Sequence, residues 1–270
     1  MWNWQQKNWP NFIYDKQALI ELEEQFLKNS GEHSGALKHI SNDDKEQLKI
    51  ELLSEEALKT SEIEGEFLNR DSLQSSICRQ FGLKTDNRKV SPAEQGIATM
   101  MVNLYKTFDV PLSHEYLWQW HTMLINGKQD IKIGGYRDSK DPMRVVSGAM
   151  YDPTIHFEAP PAKILHKQME AFIHWFNTSS KRGTDPLPAL TRSAIAHLYF
   201  VCIHPFEDGN GRIARALAEK SLAQSLNQPT LISLAYTIER AKKDYYVSLE
   251  RNNKQIEITD WIIYFAQTVL

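Results

Sequence analysis

Residues 204–215 read HPFEDGNGRIAR, which places a histidine, an aspartate, a glycine–asparagine–glycine run and two arginines within twelve positions. Gly209, Asn210 and Gly211 lead into RIARALAEKSLAQSL, a good helical sequence, so a glycine loop opens into a helix here. Free backbone N–H groups and the positive end of the helix dipole make such a junction an anion site, and glycine lets phosphate oxygens approach the backbone. Arg212 and Arg215 are three apart and share a helix face. Two forked cations there suit a polyphosphate better than a single carboxylate. Asp208 adds a hard oxygen ligand of the kind Mg²⁺ takes alongside substrate phosphates. His204 follows an apolar helical run, ALTRSAIAHLYFVCI. An imidazole that titrates near neutrality can take a proton from a hydroxyl. Base, metal ligand, anion nest and phosphate clamps together describe transfer from a nucleoside triphosphate to a hydroxyl.

Each part alone has a plainer reading. A lone DGNG is a turn, and a lone histidine on an apolar helix is a core residue. His197 lies seven residues before His204 and could share its face, but no carboxylate or cysteine stands at ligand spacing on that helix, so no metal pair is expected. The conjunction is what sets residues 204–215 apart.

The elements that must position these residues are helical. Helical spacing of apolar residues, with capping signals, predicts helices over 43–59, 92–108, 114–126, 161–177, 188–203, 211–226, 239–251 and 259–269. Ser91 and Pro92 are the expected cap and early helical position of the second. Gly134–Gly135 and MRVVSGAMYDP break the pattern, and Val145 and Val146 between turn formers predict a short hairpin. The polar stretch 82–92, GLKTDNRKVSP, is the expected linker between an N-terminal helical region and the rest.

Composition bounds the partners. The 270 residues are 41% hydrophobic and 24% charged, with a formal net charge of −3 and no long Lys/Arg block. Nucleic acid is therefore not an expected partner. Cys78 and Cys202 signal no disulfide framework. The start, MWNWQQKNWPNF, lacks the regions of a signal peptide, and the longest apolar runs are too short to cross a bilayer. A reducing, cytoplasmic setting without membrane contact is the expectation.

HPFEDGNGRIAR resembles the signature of Fic-domain proteins, HxFx(D/E)GNGRxxR, at every defined position. GGYRDSKDPMRVVSGAMYDPTIHFEAPPA resembles that family's flap, and WNWQQKNWPNF and AKKDYYVSLERNN resemble relatives with an N-terminal helical extension. The resemblance implies an all-α, mainly helical Fic fold with a small β-hairpin flap beside the active site. It divides the chain into an N-terminal helical region, 1–90, and a catalytic core with C-terminal helices, 91–270. The activity implied is transfer of AMP from ATP to a Ser, Thr or Tyr hydroxyl of a target protein, which could be a copy of the chain itself. His204 would be the base and Asp208 would hold Mg²⁺. Gly209, Asn210 and Gly211 would form the anion hole, with Arg212 on the phosphates and Arg215 on the γ-phosphate. Phe206 would point into the core. Tyr246 and Asn253 would border the adenine. The flap residues Met143, Arg144, Val145, Val146 and Ser147 would pair with an extended target segment, as an edge strand does. Relatives with this extension often continue past the counterpart of WIIYFAQTVL into a winged-helix domain, so no DNA contact is expected from these 270 residues.

TSEIEGEFL, residues 60–68, resembles the family's inhibitory motif (S/T)xxxE(G/N), within an inhibitory helix spanning about 43–65. Thr60 and Glu64 are four apart and stack on one helix face. The resemblance implies that Glu64 pairs with Arg215 and keeps it from the γ-phosphate. Gly65 is expected to allow close helix contact, and Glu62 and Glu66 to be solvated. Near a metal, the same glutamate could instead orient a water that removes AMP, so both directions of reaction stay open. Transfer of phosphate, UMP or phosphocholine is a rival; kinase-like relatives carry lysine where Gly211 stands. A non-catalytic, nucleotide-dependent interaction module is a rival of another class, and a purely structural helical protein, which leaves the arginine–glycine constellation unexplained, is the last; a homo-oligomer stays open as a partner.

Overall fold

The computed structural model describes residues 1–86, 88–128, 131–149, 152–230 and 232–270. They form eleven α-helices and one two-stranded antiparallel sheet, a mainly helical architecture. The two helices that matter most are α7 (Ala189–Ile203) and α8 (Asn210–Leu226), joined by the loop 204–209. All of α7 but Val201 is buried, which explains why its sequence is apolar around most of its circumference rather than along one stripe. The helices before them are α1 (Ile20–Leu37), α2 (Asn42–Ile63), α3 (Arg70–Gln80), α4 (Pro92–Lys106), α5 (His114–Leu124) and α6 (Ala162–Thr178). Those after are α9 (Leu234–Arg240), α10 (Lys242–Asn252) and α11 (Thr259–Val269).

The expected helices appear, with two differences. The single helix expected over 239–251 is two, α9 and α10, because Ala241 leaves helical geometry (φ −119°, ψ 35°). Helices α1 and α3 were not expected. In α3, RDSLQSSICRQ, only Leu73 and Ile77 give a fully buried apolar stripe, and the helix is started by the Asn69 side chain, which accepts from Ser72 N. The cap at Ser91 is a full capping box: Ser91 Oγ accepts from Glu94 N, and Glu94 Oε2 accepts from Ser91 N at 2.9 Å.

Residues on both sides of the expected boundary at 90/91 share one core. Ile50, Leu53 and Ala57 of α2 and Leu73 and Ile77 of α3 cluster with Ile97, Trp120, Phe172, Phe200 and Phe206. Asn87 in the expected linker lies outside the described residues. The N-terminal aromatics pack into a second cluster around Trp261, and Asn3 N donates to Asn253 O at 2.8 Å. Helices α4 and α5 touch at Gly96, where an added Cβ would overlap the Met123 carbonyl oxygen. Gly96→Ala, a change that ordinarily favours a helix, should therefore destabilise the fold by roughly 1–3 kcal/mol, read as a lower urea midpoint at unchanged slope.

The hairpin is β1 (Arg144–Ala149) and β2 (Asp152–Glu158). This corrects the bounds of the expected strand Met143–Ser147: Met143 precedes β1, its carbonyl accepting from Ala159 N at 2.9 Å, while Val145 and Val146 lie within the strand as expected. Met150 and Tyr151, also in the expected flap segment, lie outside the described residues. Among the described residues no helix is long and apolar enough to cross a membrane.

Candidate active site at the start of helix α8

The loop between α7 and α8 is built to hold a fixed shape. His204 caps α7 in the left-handed region (φ 51°), an uncommon conformation for a side-chain-bearing residue. Arg137, 4% exposed, holds that turn: its Nε donates to His204 O at 2.8 Å, its Nη2 to Pro160 O at 2.5 Å, and its backbone N to Pro205 O at 2.9 Å. Phe206 is fully buried and stacks on His121 at 4.1 Å. Asn210 closes the loop from inside, its Oδ1 accepting from Phe206 N (3.0 Å) and its Nδ2 donating to Phe206 O (2.8 Å). Its side chain is thus committed to loop shape, which leaves its backbone N–H for a ligand. Gly209 sits at φ 86°, and a Cβ there would press on Leu124. Asp208 Oδ1 accepts from Gly209 N (2.6 Å) and Arg212 Nη2 (3.3 Å), and Lys128 Nζ meets its Oδ2 at 2.6 Å. Burial pushes the Asp208 carboxyl up, but Lys128 and Arg212 outweigh that and hold it below its ordinary value.

Both arginines are buried and both are engaged by the α2–α3 segment. Arg215 Nε donates to Thr60 Oγ1 at 2.7 Å, and its Nη2 to Thr60 O at 2.9 Å and Glu64 Oε1 at 2.8 Å. Thr60 and Glu64, one helical turn apart, therefore grip one guanidinium. Arg212 Nη1 pairs with Glu66 Oε2 at 2.5 Å, so Glu66 is not the solvated residue expected. Glu62 pairs with Lys59 at 2.6 Å. Gly65 also differs from expectation. A Cβ there would meet nothing within 4 Å, but its φ is +80°. Its role is conformational: the left-handed turn just past α2 aims residues on either side of it, Glu64 and Glu66, at the two arginines. Arg212 Nε and Arg215 Nη1 are buried and have no hydrogen-bond partner among the described residues.

Gly211 opens the space that Glu64 enters, since a Cβ at 211 would overlap Glu64 Oε1. Beside it lies a cavity of about 560 Å³. Of the expected site residues, His204, Gly211, Glu64, Tyr246, Asn253, Val145, Val146 and Ser147 line it. Asp208, Gly209, Asn210, Arg212, Arg215, Met143 and Arg144 do not, and Arg144 is paired with Glu158 at 2.8 Å. His204 is pushed down to about 4, by burial first and by the Arg137 guanidinium second, so the imidazole is neutral at pH 7. Its Nδ1 is 3.4 Å from Val201 O, a long contact that favours the Nδ1–H tautomer and leaves Nε2 as an acceptor. His197 is a core residue, bonded to Tyr245 Oη at 3.0 Å and held neutral by burial.

Residues 111–222 match the model described as the Fic/DOC family. The chain carries a Fic/DOC-family domain. Residues 2–83 match a second model, described as a domain of unknown function (DUF4172). The curated relatives include the protein adenylyltransferase fic-1 of Caenorhabditis briggsae, 34% identical over 87 residues, covering 32% of this chain and 16% of that protein. Another is the protein adenylyltransferase Fic of Nematostella vectensis, 36% identical over 95 residues, 35% of this chain and 20% of that one. The matches thus span a fifth or less of these relatives' length. A crystal structure of a Fic family protein from Desulfovibrio desulfuricans G20 superposes with a TM-score of 0.74 at 20% identity, over 96% of this chain and 74% of that one, which establishes the fold as Fic-like.

The Fic/DOC domain also holds residues that reading the sequence did not single out. Arg137 supports His204 across 67 positions of sequence, and Lys128 reaches Asp208 across 80. No periodicity or local motif marks either. Glu66 was in view, two residues beyond Glu64, but its direction depends on the turn at Gly65.

Proposed function

We propose that the chain is an autoinhibited protein adenylyltransferase, moving AMP from ATP to a side-chain hydroxyl of a target protein. One observation carries this reading: a carboxylate of the chain itself, Glu64, lies against Gly211 at the start of α8 and on Arg215, in the place where an anion is best held. A site that binds its own carboxylate and still has two buried guanidinium N–H groups without partners is suited to a larger anion with more oxygens.

On this reading the triphosphate lies on the backbone N–H groups of Gly209, Asn210 and Gly211, with Arg212 and Arg215 as clamps. Tyr246 and Asn253 border the adenine, and the buried, unpartnered Asn253 Oδ1 accepts from a nucleotide donor. The residues fit Mg²⁺: Asp208 is one carboxylate at the rim of the cradle, and since the described residues contain no cluster of three or more His, Cys, Asp or Glu, the remaining ligands would be phosphate oxygens and water. Bound there, the ion would neutralise phosphate charge. His204 Nε2, neutral and free to accept, takes the proton as the target hydroxyl attacks the α-phosphorus and pyrophosphate leaves. The flap strand β1 presents the target segment. Residues 1–90 serve as the regulatory region and 91–270 as the catalytic core. Gly211 supports adenylyl over phosphoryl transfer only through the resemblance, in which kinase-like relatives carry lysine at this position.

The deciding experiment gives α-labelled and γ-labelled ATP in parallel to the unmodified protein, Glu64→Gly and His204→Ala. Label from the α position alone, strongest in Glu64→Gly and absent in His204→Ala, supports adenylyl transfer. Label from the γ position identifies a kinase. No label in any variant identifies a non-catalytic module.

The turn at Gly65 makes a separate prediction. A residue with a Cβ costs about 1–2 kcal/mol in the left-handed region, and asparagine tolerates it better. Gly65→Ala should loosen the grip of Glu64 and Glu66 and raise transfer roughly five- to thirtyfold, whereas Gly65→Asn should stay near the parent rate. Equal rates for the two variants would remove the conformational argument.

A further inference from the structure

Sheet β1–β2 is irregular beside the cavity. Val145 stands opposite Phe157 and Val146 opposite Ile155, which leaves His156 as the extra residue of a β-bulge. Bulges re-aim a side chain out of the strand's alternation and are concentrated near active sites. The re-aimed imidazole spans two elements. Its Nε2 is 2.6 Å from Ser147 Oγ on β1, and its Nδ1 is 2.8 Å from Glu250 Oε2 on α10. An ionised carboxylate only accepts, so Nδ1 carries the hydrogen; in the neutral ring Nε2 then accepts from the Ser147 hydroxyl. The His156 carbonyl also accepts from Asn253 Nδ2 at 3.2 Å. Ser147, His156, Glu250 and Asn253 all line the one cavity. Along β2, residues 152–155 are exposed and burial starts at His156, so His156 is where the hairpin first engages the body of the protein.

We propose that His156 is a positioning residue: through the chain Ser147–His156–Glu250 it ties strand β1, which receives the target, to α10, the helix that forms the base side of the nucleotide cavity. Occupancy of the cavity and the position of β1 are then coupled. The coupling rests on the nucleotide reading above; the tether does not. Nothing in this role needs the histidine to touch a reacting atom.

Hydrogen exchange of the hairpin amides in the full chain tests it, in the Glu64→Gly background, with and without a non-hydrolysable ATP analogue. The variants are His156→Ala, Glu250→Ala and Glu250→Gln, whose amide oxygen still accepts from Nδ1. In His156→Ala and Glu250→Ala the amides of 144–149 and 152–158 should exchange about tenfold faster, as expected for losing a net hydrogen bond or two. The analogue should no longer slow them, while protection within α8 changes far less than that of the hairpin and the thermal midpoint falls by only a few degrees. Glu250→Gln should behave as the parent. Parent-like exchange in His156→Ala, or analogue protection of its hairpin equal to the parent's, overturns the proposal. An analogue that fails to bind even the parent refutes the nucleotide reading and, with it, the coupling, and the exchange rates without analogue still decide the tether.

Discussion

Glu64→Gly is expected to raise AMP transfer about ten- to hundredfold over the unmodified chain. The Glu64–Arg215 contact is 2.8 Å, with Arg215 1% exposed and Glu64 30%. A charge-assisted hydrogen bond of this kind is worth roughly 1.5–3 kcal/mol, and each 1.4 kcal/mol is a factor of ten. Removing Glu64 does not strand the guanidinium, because Thr60 still accepts from both Nε and Nη2. It does free the one Nη2 hydrogen that Glu64 held and clear the space beside Gly211, which lets a γ-phosphate take the carboxylate's place. Phosphoryl-group chemistry depends mainly on positioning, so the gain should show in the transfer rate more than in nucleotide affinity. Glu66→Ala should act in the same direction through Arg212, and the double variant should exceed either single one. Incorporation of α-labelled AMP into the protein itself and into a lysate is the measurement. If Glu64→Gly labels no faster than the parent, the autoinhibition reading fails.

His204→Ala in the Glu64→Gly background should lower transfer by about 10²- to 10⁴-fold, the usual contribution of a positioned base, with analogue affinity nearly unchanged. Its pH dependence gives an independent check. The folded histidine is pushed down to about 4, against an unfolded value near 6.5. It therefore stays neutral and able to accept a proton well below pH 6, and the acid limb of the rate should fall nearer 4 than 6.5. The same shift makes a stability statement. Above pH 6.5 both states leave this ring neutral and it contributes no pH dependence. As pH falls from 6.5 towards 4, the unfolded chain takes up a proton that the folded chain refuses, and stability declines. His204→Ala should lose that decline. An acid limb at 6.5 in the parent would mean that the base is another group or that the loop opens in solution.

Much of the molecule was legible because its signals are local. The helices around Ser91–Pro92 and over 188–203 and 211–226 follow from spacing and caps, which depend on neighbours within a turn or two. Helix α3 was not legible, because its short polar sequence is helical through packing of Leu73 and Ile77 rather than through its own preference. The flap was legible as a hairpin but not in its register, since the bulge at His156 shifts pairing by one residue. Gly65 shows the same division. Its identity invited an argument from space, and only its φ of +80° reveals that direction is what matters.

The sequence by itself determined the mainly helical class and the glycine loop opening into α8, because a motif packs its ligand-facing groups within a few residues; the pairing of Glu64 with Arg215, 151 positions apart, was implied only by the resemblance to Fic-domain proteins. Only the tertiary structure decided that Glu66 holds Arg212, that Lys128 holds Asp208, that Arg137 fixes the turn at His204 and that His156 joins the flap to α10. Those contacts join residues 67 to 146 positions apart, and charges separated that far in the chain carry no mark of which will be buried together until the core places them.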